Sequence, residues 1–208
     1  MTNNFPGEVN APAVTPPHNP TIPFVLWTIG HSTRPIEGFI DLLQAYGIHI
    51  LADVRITPYS RRNPQFHSNA LAKSLAYAGI QYRHMPALGG RRKSRPDSVN
   101  VGWRNEGFRG YADYMQTSPF LEGLEELISA GQELPVAIMC AEAVPWRCHR
   151  TLIADALASR GWTVRHIISA GSLNTHTLTS FAKLDEGRLT YPAEGLQDST
   201  LPLFQQDA

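Results

Sequence analysis

The 208-residue chain has only two cysteines, Cys140 and Cys148, too few for a disulfide-stapled scaffold. It has no apolar run approaching the ~18–20 residues of a membrane span. No basic stretch followed by an apolar core marks a secretory signal at its start, so a reducing cytoplasm and no membrane partner are expected. Internal repeats are lacking, which excludes solenoids, and the 16 glycines follow no period, which excludes collagen. Net charge is lacking too, since 18 Lys/Arg balance 18 Asp/Glu. What remains, with 42% apolar residues, suits one domain that buries roughly 70% of its unfolded surface and needs no structural metal.

The balanced charge hides a strong asymmetry. Between positions 55 and 109 lie eleven Lys/Arg against only Asp97 and Glu106. Residues 1–23 carry six prolines and the single charge Glu8, and residues 185–208 carry five acids against Arg188. We therefore expect a Pro-rich N-terminal tail over 1–23, an α/β catalytic domain over 24–170, and a C-terminal extension over 171–208, partly disordered or strapped on the surface.

Within 24–170, short apolar runs alternate with helix-like segments. Strands are expected at 24–30, 49–54, 80–85, 135–139 and 162–168. A helix capped by Ser32 and Thr33, with Pro35 in its first turn, should reach about Tyr46 and end at Gly47. Further helices are expected over 68–78, in one or two pieces over 110–130 with a restart at Pro119, and over 148–159. This alternation predicts an α/β fold: a single-domain, mostly parallel open sheet of about five strands with helices on both faces.

Open parallel sheets bind ligands beyond the carboxyl ends of their strands. The chemically active side chains fall there: His31 and Ser32 after the first strand, Asp53, Arg55, Ser60 and Arg61 after the second, Gly89 and Gly90 after the third, and the Cys140–Arg150 loop after the fourth. Thr28-Ile-Gly-His-Ser32, Ala52-Asp-Val-Arg55 with Pro58 and Ser60, Leu88-Gly-Gly90, and Cys140-Ala-Glu142 with Cys148-His-Arg150 resemble the domain of unknown function 488 family. The resemblance covers about residues 24–170. It implies a compact α/β fold and a shared site made from these motifs, and leaves the reaction open.

The loop itself admits several chemistries. A cysteine leaving a strand toward a helix N-terminus, near Arg147 and Arg150, favours the thiolate. Glu142, among apolar Val144, Pro145 and Trp146, suits a general acid or base, and His149 suits proton transfer or orientation of a partner. Six residues separate Cys140 from Arg147, one more than the tyrosine-phosphatase spacing. Catalytic zinc would need three ligands, and Cys148 and His149 are directly adjacent, so no metal and no cofactor are expected. Cys148-His149-Arg150 repeats part of the active-site motif of alkylguanine alkyltransferases.

The charge map points to the partner. The basic segment is interleaved with Tyr59, Phe66, Tyr77, Tyr82, Trp103 and Phe108, of which Tyr77 and Tyr82 are expected to serve the core. Cations track phosphates and aromatic faces stack on bases, so a nucleic acid, DNA rather than RNA, is the expected partner. Arg91, Arg92, Lys93, Arg95, Arg104 and Arg109 would hold its backbone, with 91–95 in an exposed, mobile loop. Ser32, Arg55, Ser60, Arg61, Gly89, Gly90, Arg147, His149 and Arg150 would bind the reacting part. The reading that follows is DNA base repair or processing. In a glycosylase-like form Asp53 or Glu142 activates water while His31 protonates the leaving base; in a transfer form Cys140 or Cys148 accepts a group. The alternative is a small-molecule thiol enzyme, a sulfurtransferase or phosphatase-like hydrolase, using Cys140. A non-catalytic binding module is the third possibility.

Overall fold

The computed structural model describes residues 24–193. The Pro-rich tail expected over 1–23 and the chain end from 194 lie outside the described residues. A six-stranded sheet forms the middle layer, in the order β3-β2-β4-β1-β5-β6. Its strands are β1 (Val25–Gly30), β2 (Ile50–Asp53), β3 (Gln81–His84), β4 (Val136–Cys140), β5 (Thr163–Ser169) and β6 (Ser172–Thr175). The first five are parallel, and β6 runs antiparallel to β5. The expected α/β class holds, with one strand more than the sequence showed.

Helices cover both faces. On one face, α1 (Ile36–Ala45) and α2 (Ser68–Tyr77) bury Phe39, Leu42, Leu43, Leu71 and Leu75. The other face carries α3 (Glu106–Tyr114), α4 (Ser118–Glu133) and α5 (Arg150–Ala158). Helix α4 buries Phe120, Leu124 and Leu127, the three-to-four-residue spacing of one helical stripe. Each such leucine contributes about 2 kcal/mol of burial. The two helices expected around Pro119 are thus present, and Pro119 lies in the first turn of α4, where its missing N–H has no helical partner to lose.

Two helices begin later than the sequence suggested. Ser32 takes a left-handed φ of 50° and belongs to the loop, so α1 starts only after Pro35. Pro145–Arg147 forms a single 3₁₀ turn and Cys148 is extended, which delays α5 to Arg150.

The segment after β5 is more ordered than a tail. Beyond β6 it forms a hairpin of β7 (Lys183–Asp185) and β8 (Arg188–Thr190), followed by fully buried Tyr191. It packs over α5, whose residues Leu152 through Leu157 are all buried as a result, including Asp155. Asp155 accepts hydrogen bonds from Tyr191 Oη, from the backbone N–H and hydroxyl of Thr179, and from His176. A chain shortened to end at Ala170 would leave this carboxylate without its partners, and breaking such buried interactions costs about 3–5 kcal/mol. We expect it to lose cooperative urea unfolding or to melt at a far lower denaturant midpoint. A midpoint equal to that of the full chain would make the segment an ornament.

Candidate functional site

Topology places the site. The connection leaving β1 passes to the α1 face and the connection leaving the adjacent β4 passes to the α5 face, so the chain parts between these two strand ends. Gly30 and Cys140 stand side by side in the register. The pairing continues past the strands, with His31 N–H donating to the Cys140 carbonyl and Ser32 N–H to that of Ala141, both at 3.0 Å. Gly30 is required here: a Cβ would overlap the carbonyl oxygen of Glu142, where the β4 loop crosses over the end of β1.

A cleft of about 940 Å³ opens above this point. Cys140, Cys148 and His149 lie at its floor beside His31 and Ser32. Arg55, Ser60, Arg62, Gly90, Arg91 and Arg147 line its walls, with Glu142 as the single carboxylate. Of the sequence-derived candidates, Arg61, Gly89 and Arg150 lie off the lining, as does Asp53.

Asp53 is fully buried and saturated. Arg55 donates to both its oxygens, at 2.8 and 2.6 Å, and through its own backbone N–H, and Tyr82 donates a fourth bond. With four donors on its carboxylate, Asp53 positions Arg55 and has no free lone pair directed at water. His31 is fixed as well. Its Nδ1 donates to the Ser32 carbonyl, its Nε2 faces Arg55 Nη1 at 3.2 Å, and its ring stacks on Phe66. Burial first, and the Arg55 charge with it, lowers its pKa to about 4. Neutral at ordinary pH, His31 has its one proton turned to the backbone, which removes it from the expected role of acid to a leaving base.

The two thiols lie at the centre of the floor. Cys140 and Cys148 are free and buried, with their sulfurs in contact at 2.7 Å. Burial pushes the Cys148 thiol up, but the hydrogen bond from Cys140, the Arg150 charge and the Arg150 backbone N–H outweigh it and bring it below its ordinary value. Cys140, the donor of that bond, is pushed up, with burial adding to the effect. Cys148 also sits just before α5, whose N-terminal N–H groups favour a negative charge. The sequence left open whether Cys140 or Cys148 would accept a group; of the two, Cys148 is the thiol whose surroundings favour the thiolate.

His149 Nδ1 approaches Cys148 Sγ at 3.6 Å, and its ring packs against Tyr111. Its Nε2 is buried without a hydrogen bond of good geometry, the Val54 backbone being the group it approaches. A Cβ on Gly90 would come within 2.8 Å of Nδ1, so the glycine makes room for the ring. One donor atom each from Cys140, Cys148 and His149 lie within 4.8 Å of one another, a set able to hold a thiophilic cation despite the adjacency of two of its members in sequence.

Arg150 is the least expected feature. Its side chain is fully buried, yet no carboxylate pairs with it among the described residues. Nη2 donates to the Glu142 carbonyl at 2.6 Å and Nη1 to Thr28 Oγ1 at 3.2 Å, while Nε has no partner. From Thr28 the hydrogen bonds run on through His166 and His176 to Asp155, at 2.8, 3.1 and 2.8 Å. Its charged ends polarise this chain in one direction, each group donating toward the carboxylate. Burial first, with the nearby Arg150 charge acting in the same direction, lowers His166 to about 4, so it is neutral within the chain. Sequence reading missed these four partners. One signal was available: Asp155 stands alone among apolar residues in Leu152-Ile-Ala-Asp-Ala-Leu157.

The basic loop differs from expectation. Arg92 stacks over Tyr114 at 3.6 Å and donates to the Gly89 carbonyl. Arg95 pairs with Asp97, and Arg109 donates to the Trp103 carbonyl. Asp113 ties the loop down through the Arg95 N–H, Ser98 and Asn100. Instead of a mobile loop, the segment is an anchored wall that offers Arg91 to the cleft, with Lys93 and Arg104 exposed outside its lining. Tyr77, expected in the core, is 83% exposed because it lies on the outer face of α2. Tyr59 and Phe108, named as aromatics of the basic segment, do line the cleft, and the reading missed Arg62, which lines it too. Arg62 adjoins a residue that was singled out.

The model for the domain of unknown function DUF488 matches residues 35–157, a narrower span than the 24–170 covered by the motifs. No curated protein and no solved structure matches the chain.

Three histidines with depressed values, His31, His149 and His166, set an acid limit. In an unfolded chain each titrates near 6.5, so between that pH and about 4 the unfolded state binds more protons. Their contribution to stability is fully present above pH 6.5 and falls away toward pH 4. We expect the urea midpoint to drop from pH 6.5 to 5, where carboxylates are still ionised, and His166→Asn to flatten that drop. A midpoint unchanged over this range would refute the assignment.

Proposed function

The chain belongs to the DUF488 family, and from that premise we propose that the cleft is the active site of a thiol-dependent enzyme in which Cys148 is the nucleophile and arginines hold an anionic substrate. One observation carries the reading. A buried guanidinium, Arg150, lacks a carboxylate partner and lies beside a thiol at a helix N-terminus. An uncompensated buried cation costs several kcal/mol, and a Cys148 thiolate is the adjacent group that relieves it.

The same charge argument favours free thiol chemistry over a divalent metal. One thiolate neutralises Arg150, whereas two thiolates, a divalent ion and the guanidinium would leave a buried positive charge. It also favours thiol attack over carboxylate-driven hydrolysis, because Asp53 is saturated. Glu142 is exposed with no hydrogen bond to its carboxylate among the described residues, and it serves the leaving group as acid or base. Arg55, Arg62, Arg91 and Arg147 would bind the anionic part. A cleft of this volume is near the upper end for small-ligand pockets, which fits a nucleotide-sized molecule better than a simple anion.

A second reading, processing of a base in DNA by transfer to Cys148, is favoured by Tyr59. Its ring is 60% exposed on the cleft lining, which it shares with Arg62, and stacks on His67. A gel shift across salt concentration separates the two, because many phosphate contacts give a steep slope and one small anion does not.

The thiol reading is tested without knowing the substrate. Iodoacetamide uptake at Cys148 should rise through a midpoint below the ~8.5 of a free thiol. A nucleoside triphosphate should slow it, and the double change Arg62→Ala, Arg147→Ala should weaken that protection by about 10-fold or more. Uptake with an ordinary thiol midpoint and no protection by anions would remove Cys148 from the chemistry.

A further inference from the structure

We propose that Cys140 is the resolving thiol of Cys148, so that the site reduces anionic disulfides by way of an internal Cys140–Cys148 disulfide. The inference rests on Cys148 being the nucleophile and names the substrate class and a second thiol for that site.

Three observations carry it. The sulfurs touch at 2.7 Å, and both thiols lie on the floor of the same cleft, so a group attached to Cys148 remains within reach of Cys140. They are the chain's only cysteines, and both are free. Both are held by fixed backbone. Cys140 ends β4 with its carbonyl bonded to His31 N–H, and the Cys148 N–H bonds to the Pro145 carbonyl at the close of the 3₁₀ turn. A cysteine needed only for packing has no reason to present its S–H to another sulfur in an arginine-lined cleft. Cationic walls select a disulfide that bears negative charge.

The chemistry balances. The Cys148 thiolate attacks one sulfur of R–S–S–R′, forming Cys148–S–S–R and releasing R′S⁻. The Cys140 proton passes to that departing thiolate. The Cys140 sulfur then attacks Cys148 Sγ, the bond to R breaks, and RS⁻ leaves. The site has lost two electrons to the substrate, which departs as two thiols, and an external dithiol restores Cys140 and Cys148 by the reverse exchange.

The full chain, reduced and freed of reductant, is mixed with the anionic disulfide 5,5′-dithiobis(2-nitrobenzoate), with a neutral dipyridyl disulfide in parallel. The intact protein should release two aryl thiolates per chain, carry no adduct and become lighter by two hydrogens, with a tryptic cross-link joining Cys140 to Cys148. Cys140→Ser should release only one thiolate per chain and retain a mixed disulfide at least about 100-fold longer. Cys148→Ser should lose the fast release. The anionic probe should react faster than the neutral one, and Arg62→Ala with Arg147→Ala should erase that preference. A wild-type protein that keeps a stable adduct on Cys148 overturns the resolving role while leaving Cys148 a nucleophile. A Cys148 inert to disulfides and to iodoacetamide alike overturns the nucleophile reading itself.

Discussion

A positive charge that cannot reach water organises this molecule. Arg150 is buried between α5 and the sheet, and everything around it answers that charge. On one side the Cys148 sulfur and the Glu142 carbonyl face it. On the other, Thr28, His166 and His176 transmit its polarity to Asp155, five positions along the same helix. The segment after β5, unremarkable by sequence, supplies His176, Thr179 and Tyr191 to that carboxylate. Remove the guanidinium and both the pull on the Cys148 thiol toward the thiolate and the polar interior beneath the helix lose their reason.

The sheet order decides where this charge can act. At the β1/β4 boundary neighbouring parallel strands send their connections to opposite faces, and a crevice opens there. Gly30 lets the β4 loop cross it, and Gly90 lets His149 sit beside the thiols. Asp53 and His31 hold Arg55 from behind. The cleft is thus built by residues that touch one another more than they face its opening.

Much of this was legible in the sequence. The five parallel strands and the convergence of His31, Arg55, Gly90, Cys140 and Cys148 follow from alternation and from the rule about strand ends. Individual roles were less readable, because they depend on partners far along the chain. Nothing near Asp53 announces that Tyr82 will saturate it, and nothing near Cys140 announces that its sulfur will touch that of Cys148. β6 and the β7–β8 hairpin escaped notice because they are three or four residues long and largely exposed, with no apolar run to mark them. The basic run looked mobile because its anchor, Asp113, lies on a helix read as separate.

The wrap of residues 176–191 around α5 has a consequence for how the protein comes into being. Chains emerge from the ribosome N-terminal part first, and early segments collapse before late ones exist. The cleft walls and both cysteines are synthesised before Thr179 and Tyr191 reach Asp155. Until they do, the helix has no complete set of partners. Translation order therefore leaves the Asp155 carboxylate short of its hydrogen-bond donors until Tyr191 has been made.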